Sequence, residues 1–154
     1  ISTSAGQAIR FNETDVRPMG RGARGVRGAR LRPNDTVVGM DIVTSEEQEL
    51  LVISEKGFGK RTTAGNFPPH KRGGVGIKAA VVTAKTGPII SVQTLGEDMV
   101  DAIMISKNGQ TIRLSLKGIK LLGRTTQGVT IMRMNEGDKI VSIGLMPEAE
   151  RDEE

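Results

Sequence analysis

The sequence predicts an all-β, propeller-like protein made of three similar units of about 51 residues, each a four-stranded blade. Short motifs recur three times, 51 or 52 residues apart and in one register. Apolar runs of strand length alternate with turns, and 20 of the 154 residues are glycine. Periods of about 40 to 50 residues are typical of propeller blades and solenoid repeats.

The first recurring motif marks a hairpin in each unit. It begins with glycine and occupies residues 6–11, 57–62 and 109–114. In the third unit, residues 102–106 form an apolar run, Asn108-Gly109 supplies a hairpin turn, and residues 110–115 return. We therefore expect two antiparallel strands at the start of every unit.

Two further motifs complete the unit. Residues 21–26, 72–77 and 124–129 share an arginine at the first position, a glycine at the fifth and Val or Ile at the sixth. Apolar segments follow at residues 37–40, 89–92 and 140–143. In the third unit, these motifs predict strands at 129–134 and 139–145. The expected domain spans residues 1–146, with units of about 1–51, 52–103 and 104–146, and residues 147–154 begin an acidic flexible tail.

Composition excludes several classes of function. The chain has no cysteine and no tyrosine, which rules out disulfides, thiolate metal sites and tyrosine chemistry within it. No apolar run approaches the roughly 20 residues that span a bilayer, and the first residues lack signal-peptide features, so we expect a soluble, intracellular protein. His70 is the only histidine and has no companion ligands in the sequence. We expect no metal, no cofactor and no catalytic site.

Charge is concentrated at two places. Residues 10–32 contain seven arginines against two acids, whereas residues 148–154 contain five acids and one arginine. A basic body with an acidic end is typical of proteins that bind nucleic acid. An ordinary solvated surface with a solubilising tail would give the same charge pattern.

The motifs at residues 15–21, 57–62 and 122–129 resemble the C-terminal domain of the A subunit of bacterial DNA gyrase, over residues 1 to about 145. The resemblance implies a six-bladed β-pinwheel whose rim wraps duplex DNA, with this chain similar to its last three blades. It also implies a non-catalytic part of a type IIA topoisomerase, in which a homodimer of A subunits works with two B subunits in the bacterial cytoplasm, at the nucleoid. Half a disc would leave edge strands exposed, so we expect the three blades either to pair with a second copy or to be less stable than the whole disc.

The family's signature box, Gln-basic-Arg-Gly-Gly-basic-Gly, has one approximate match in this chain. The match departs from the box at its first and sixth positions, and we interpret it as a degenerate version. The box-like loop consists of His70, Lys71, Arg72, Gly73, Gly74, Val75 and Gly76.

Basic residues of the loops and hairpins are the candidate DNA contacts. A 51-residue repeat would place the loops along one curved rim, where arginine and lysine bind phosphate without reading sequence and glycine allows tight turns and lets backbone N–H groups approach phosphate. The loop candidates are Arg21, Arg24, Arg27, Lys71, Arg72, Lys78 and Arg124. The second choices, from the hairpins, are Lys60, Arg61, Arg10 and Arg113. Alternatives are the C-terminal domain of the A subunit of topoisomerase IV and a propeller that binds protein.

Overall fold

The structure, a computed structural model, describes residues 1–148, which fold into eleven β-strands and three single-turn 3₁₀ helices. The strands are β1 (Ser2–Thr3), β2 (Gln7–Ala8), β3 (Val37–Gly39), β4 (Glu49–Ser54), β5 (Phe58–Thr63), β6 (Ile77–Lys78), β7 (Ile89–Thr94), β8 (Met99–Ser106), β9 (Thr111–Ser115), β10 (Val129–Thr130) and β11 (Ile140–Pro147). The 3₁₀ helices are Glu13–Asp15, Ala64–Asn66 and Leu116–Gly118. The all-β prediction is confirmed.

Each repeat begins with the predicted hairpin. The hairpins are β1–β2, β4–β5 and β8–β9, all antiparallel. The apolar segment late in each repeat returns to the first strand of its own hairpin, so that β3 pairs with β1, β7 with β4 and β11 with β8. Three strands of every sheet therefore come from a single repeat.

The remaining strand is exchanged between repeats, which the sequence did not predict. Strand β6, from the second repeat, pairs with β2 of the first, and β10, from the third repeat, pairs with β5 of the second. The sheet orders are β3-β1-β2-β6, β10-β5-β4-β7 and β11-β8-β9. The third sheet thus has three strands in the described part of the chain, not four, because a repeat gives its fourth strand to the sheet before it.

Two smaller boundaries also differ from expectation. The predicted strand at residues 129–134 is only Val129–Thr130. The last strand runs through Pro147, which pairs with Met99, and the Glu148 N–H donates to the Asp98 carbonyl. The start of the predicted tail is therefore ordered, and its residues 149–154 lie outside the described residues.

The sheets stack face to face around two apolar layers. Strand β4 is buried along nearly its whole length, and its alternating side chains point to opposite faces. Leu50 and Val52 pack towards the first sheet, whereas Leu51 and Ile53 pack towards the third. The middle sheet is consequently covered on both faces, as an inner blade must be.

Methionine takes part in this packing in place of aromatic residues. Met104 and Met132 are both buried in the second layer, in which no aromatic side chain of the described residues takes part. The first layer contains the aromatic ring of Phe67. No helix within residues 1–148 has the length and apolar character needed to cross a membrane.

Candidate nucleic-acid interface

The three arginine–glycine loops, residues 21–26, 72–77 and 124–129, follow one another along one side of the stack. We call this surface the loop edge and include in it the exposed flanking residues Arg17, Arg27, Arg30, Arg32, Lys71 and Lys78. The second and third loops lead into β6 and β10, the outer strands of their sheets. Backbone hydrogen bonds join neighbouring repeats here: Arg30 N–H donates to the Gly74 carbonyl at 2.8 Å, and Val81 N–H donates to the Thr126 carbonyl at 3.1 Å. The two donors, Arg30 and Val81, occupy equivalent positions in successive repeats, and so do the two acceptors, Gly74 and Thr126.

Glycine is required in these loops by contact with the preceding hairpin. Gly76 and Gly128 have φ values of 79° and 84°, in the left-handed region. A Cβ at Gly76 would lie 2.3 Å from the Ala8 carbonyl oxygen, and one at Gly128 would lie 2.6 Å from that of Gly59. These two glycines therefore allow the loops to turn tightly and pack against their own chain, as one of the two roles expected of glycine from the sequence requires. The other role, phosphate approach, stays a prediction.

Arginines of the first loop extend into solvent. Arg21, Arg24 and Arg27 are exposed, and none of their side chains has a hydrogen-bond or ion-pair partner among residues 1–148. Three further exposed arginines, which the motif comparison did not select, lie just outside the loop: Arg17, Arg30 and Arg32. Their signal in the sequence is the arginine cluster at residues 10–32 itself.

Arg72 and Arg124 behave differently from Arg21, although all three open the same motif. The Arg124 guanidinium donates to the Lys78 carbonyl at 2.6 Å. The Arg72 guanidinium donates to the Arg27 carbonyl and, through Nε at 3.2 Å, to the Asp15 carbonyl. Both side chains therefore reach back to the preceding repeat, and both residues are half-buried.

Lys60 does not lie on the surface and is removed from the candidate contacts. It is 1% exposed, and its Nζ donates to the carbonyls of Gly123, Arg124 and Thr126 at 3.0, 2.8 and 2.9 Å. Burial, assisted by the positive charge of Arg124, lowers the pKa of Lys60 to about 8. Ile9 holds the same motif position in the first repeat and faces Gly74 of the next loop, so this position serves to support a loop.

The hairpin arginines are held in ion pairs. Arg10 contacts Glu46 at 2.7 Å, and Arg61 contacts Glu49 at 2.6 Å. Both also donate to backbone carbonyls of the following repeat, among them the Ile119 carbonyl at 2.8 Å from Arg61 Nε. Arg113 donates to Asp101 at 2.7 Å but remains more exposed. Arg10 and Arg61 thus link successive repeats. Because several of their guanidinium N–H groups already donate to protein oxygens, fewer remain to bind phosphate than in an unpaired arginine.

The box-like loop is attached to the first repeat along its length. The His70 N–H donates to the Arg10 carbonyl at 2.7 Å, and the Gly73 N–H donates to the Gly28 carbonyl at 2.8 Å. Gly73, Gly74, Val75 and Gly76 are half-buried. The exposed side chains of the loop are His70 and Lys71, and Lys78 is exposed on the strand that follows.

The functional groups of this surface are mainly the positive charges of arginine and lysine. Among residues 1–148, no three His, Asp or Glu side chains converge as metal ligands would. The loop edge therefore offers guanidinium and ammonium groups on a framework of hydrogen-bonded loops. Such a surface can bind anions.

A model of the family "DNA gyrase C-terminal domain, beta-propeller" matches residues 1–44, 48–95 and 101–145. The three matched segments correspond to the three repeats. The propeller-like prediction made from the repeat period agrees with the fold in this family's description.

Curated relatives give the same result. The chain is 41% identical over 150 residues to the DNA gyrase A subunit of Staphylococcus epidermidis, covering 96% of this chain and 17% of the relative. It is 38% identical to the DNA gyrase A subunit of Chlamydia pneumoniae, covering 100% of this chain and 18% of the relative. The chain thus spans less than a fifth of the length of the relatives it matches.

Solved structures match the fold closely. A structure of the DNA gyrase A C-terminal domain aligns with a TM-score of 0.82 at 28% identity, covering 94% of this chain and 48% of that one. A crystal structure of the C-terminal domain of DNA topoisomerase IV aligns with a TM-score of 0.86 at 20% identity, which supports the shared fold alone. The chain therefore spans about half the length of the solved gyrase domain.

Proposed function

We propose, from the premise that the chain belongs to the DNA gyrase C-terminal domain, beta-propeller family, that it binds and bends duplex DNA along the loop edge without reading base sequence. The surface that would contact DNA carries Arg21, Arg24 and Arg27 from the first loop, with Lys71 and Lys78 from the second repeat. Phosphate contacts of this kind release counterions and carry no sequence information.

The observation that carries the proposal is the group of exposed arginines at the loop edge. Six arginines between residues 17 and 32 are exposed, and none takes part in an ion pair among residues 1–148. Elsewhere, Arg10, Arg61 and Arg113 are each paired with a carboxylate. Arg133 and exposed lysines such as Lys117 are also outside any ion pair among residues 1–148, so it is the density of unpaired arginines between residues 17 and 32 that favours a polyanionic partner over an ordinary solvated surface.

Bending needs contacts that are spread along a rigid, curved support. Bending 20–30 base pairs by 40–90° costs about 1–6 kcal/mol, which several phosphate contacts can offset. Hydrogen bonds from the segment that follows one loop to the next loop, such as Arg30 to Gly74 and Val81 to Thr126, support a fixed relation between the contact points. DNA that follows the loops would therefore take the curvature of the protein.

At the level of the whole enzyme, this chain would serve a type IIA topoisomerase as a non-catalytic module. Wrapped DNA would be presented to the cleavage core so that ATP-dependent strand passage introduces negative supercoils. The chain contains no tyrosine, so a cleaving tyrosine would lie in another part of the longer polypeptide. The partners implied are two B subunits and a second copy of the polypeptide that carries this chain, at the bacterial nucleoid.

Salt-titrated binding to plain duplex DNA tests the proposal. The test variant is R21Q/R24Q/R27Q, and the control is K56Q/K85Q/K107Q, which removes the same charge from exposed lysines outside the loop edge. Removal of one phosphate contact reduces the slope of log K against log salt by about 0.9, so the slope should fall by up to about 2.7 in the test variant and by less than about 1 in the control. The wild-type chain should bind at about 50 mM salt and weaken steeply by about 200 mM.

Two results would contradict the proposal. Equal reductions in the two variants would mean that net charge, not the loop edge, governs binding. Absence of binding by the wild-type chain at about 50 mM salt would favour the protein-binding alternative.

A further inference from the structure

Two arginines of the loop edge make the same contact one repeat apart. Arg72 donates to the carbonyl of Arg27, and Arg124 donates to the carbonyl of Lys78 at 2.6 Å. Arg27 and Lys78 are the seventh residues of the motifs that Arg21 and Arg72 open. The contact is thus a repeated link between successive motifs.

Each link ends on the backbone of a residue whose own side chain is exposed. Arg27 and Lys78 both extend into solvent and belong to the proposed DNA contacts. A guanidinium is planar and holds its donors at fixed angles, so it fixes the direction of the backbone it binds, whereas an ammonium acts as a point charge. The second donation from Arg72, to the Asp15 carbonyl at 3.2 Å, adds a further constraint.

Building on the proposed function, we propose that Arg72 and Arg124 are positioning residues that set the angle between successive segments of the DNA track. They control how strongly bound DNA bends, while the exposed arginines and lysines control how tightly it binds. The alternative for the same residues is direct phosphate contact, which the motif comparison alone would suggest.

Bend and affinity measured on the same variants separate these roles. The variant R72K/R124K keeps both charges but removes the planar donors, and R72Q/R124Q removes both. The matched controls are R133K, at an exposed arginine outside the loop edge, and R21Q, at the same motif position as Arg72 and Arg124. Neither side chain has a hydrogen-bond or ion-pair partner among residues 1–148. DNA bend is read by energy transfer between dyes at the ends of a short duplex at saturating protein, and the number of phosphates bound is read by the salt slope.

We expect both double variants to bend DNA less than the wild-type chain, with a salt slope within about 0.9 of its value, the change that removal of one phosphate contact makes. R133K should leave the bend unchanged, and R21Q should reduce the slope. If Arg72 and Arg124 instead contact phosphate, R72K/R124K will keep the bend and the slope will fall by about 1.8 in R72Q/R124Q. That result would overturn the proposal.

A second measurement needs no DNA. The chain has no cysteine, so spin labels can be placed by G22C and T125C, at exposed positions of the first and third loops. A Cβ at Gly22 meets no atom within 4 Å. The distance distribution between the labels should broaden in R72K/R124K and not in R133K, and an unchanged distribution would overturn the positioning role. Failure of the wild-type chain to bind DNA would refute the proposed function and the bending role, while the labels would still report whether the links position the loops.

Discussion

We expect Lys60 to make the stability of the chain depend on pH. Its ammonium is buried beneath the third loop with only carbonyl and hydroxyl oxygens around it, and no carboxylate is among its hydrogen-bond partners within residues 1–148. The charged form therefore costs free energy on folding, which is why its folded pKa is about 8. In the unfolded chain, the pKa of this group returns to its ordinary value of 10.5.

The sign and size of the effect follow from these two values. Between pH 8 and 10.5 the unfolded chain binds more protons at Lys60 than the folded chain, so the free energy of unfolding rises with pH. The complete shift of the pKa from 10.5 to about 8 corresponds to about 3 kcal/mol in the free energy of unfolding. It is fully present above pH 10.5 and is lost as the pH falls through 8. For a chain of this length, about 3 kcal/mol corresponds to roughly 6–12 °C in melting temperature.

Urea denaturation followed by far-ultraviolet circular dichroism at pH 7.5, 9 and 10.5 measures this change, because the chain has neither tryptophan nor tyrosine for fluorescence. Because the chain has neither cysteine nor tyrosine, the side chains that titrate here are lysines, and Lys60 is the buried one among residues 1–148. Burial also lowers the pKa of the Ile1 ammonium from 8.0, which adds a rise at the low end of this range, so the step from pH 9 to 10.5 is the one that reports Lys60. Lys60→Met should abolish the rise between pH 9 and 10.5, and Lys117→Met, at an exposed lysine, should retain it. A wild-type stability that is flat or falls between pH 8 and 10.5 would refute the reasoning.

Two further predictions concern stability. Arg61→Ala should lower the free energy of unfolding in urea by about 1–3 kcal/mol, because it breaks a partly buried ion pair and a bond to the next repeat, whereas the more exposed Arg113→Ala should cost less than about 1 kcal/mol. Gly128→Ala should destabilise the chain by more than about 1 kcal/mol, because the new Cβ would meet the Gly59 carbonyl at a positive φ. Gly22→Ala, whose Cβ meets no atom, should stay within about 0.5 kcal/mol of wild type by the same measurement, and equal effects at the two glycines would contradict this account.

The repeat architecture could be predicted from sequence because each of its signals is local. A hairpin needs only an apolar run, a turn residue and a second run, all within about a dozen residues. The hairpin β8–β9 was placed in this way, and its observed strands are Met99–Ser106 and Thr111–Ser115. Recurrence of the same pattern at a fixed interval then indicated blades.

Strand exchange could not be predicted in the same way. A repeat motif shows that Val26, Ile77 and Val129 are equivalent, but not which hairpin each one joins, since the same pairing can form within a repeat or between repeats. Ile77 and Val129 pair with the preceding hairpin, and Val26 lies in no strand. The choice depends on packing over about 50 residues, for which the sequence of a single chain contains no local signal.

The candidate site was predicted from residue type and motif position. The structure shows that residues of the same type at the same motif position differ in their contacts. Arg21, Arg72 and Arg124 open the same motif, yet only Arg21 has its guanidinium free of partners among residues 1–148. Their contacts make the difference, because the Arg72 and Arg124 side chains each donate to a backbone carbonyl of the preceding repeat. Lys60 differs for a related reason, because the following loop covers it.

This sorting makes the loop edge uneven. The first repeat presents six exposed arginines, the second presents Lys71 and Lys78, and the Arg124 guanidinium of the third donates to a backbone carbonyl. Phosphate contacts, and the salt dependence of binding that they cause, would therefore be concentrated at the first repeat. The links through Arg72 and Arg124 would direct the path of the DNA beyond that repeat. Affinity and curvature would then depend on separate sets of residues of the same chemical type, so that either can change without the other.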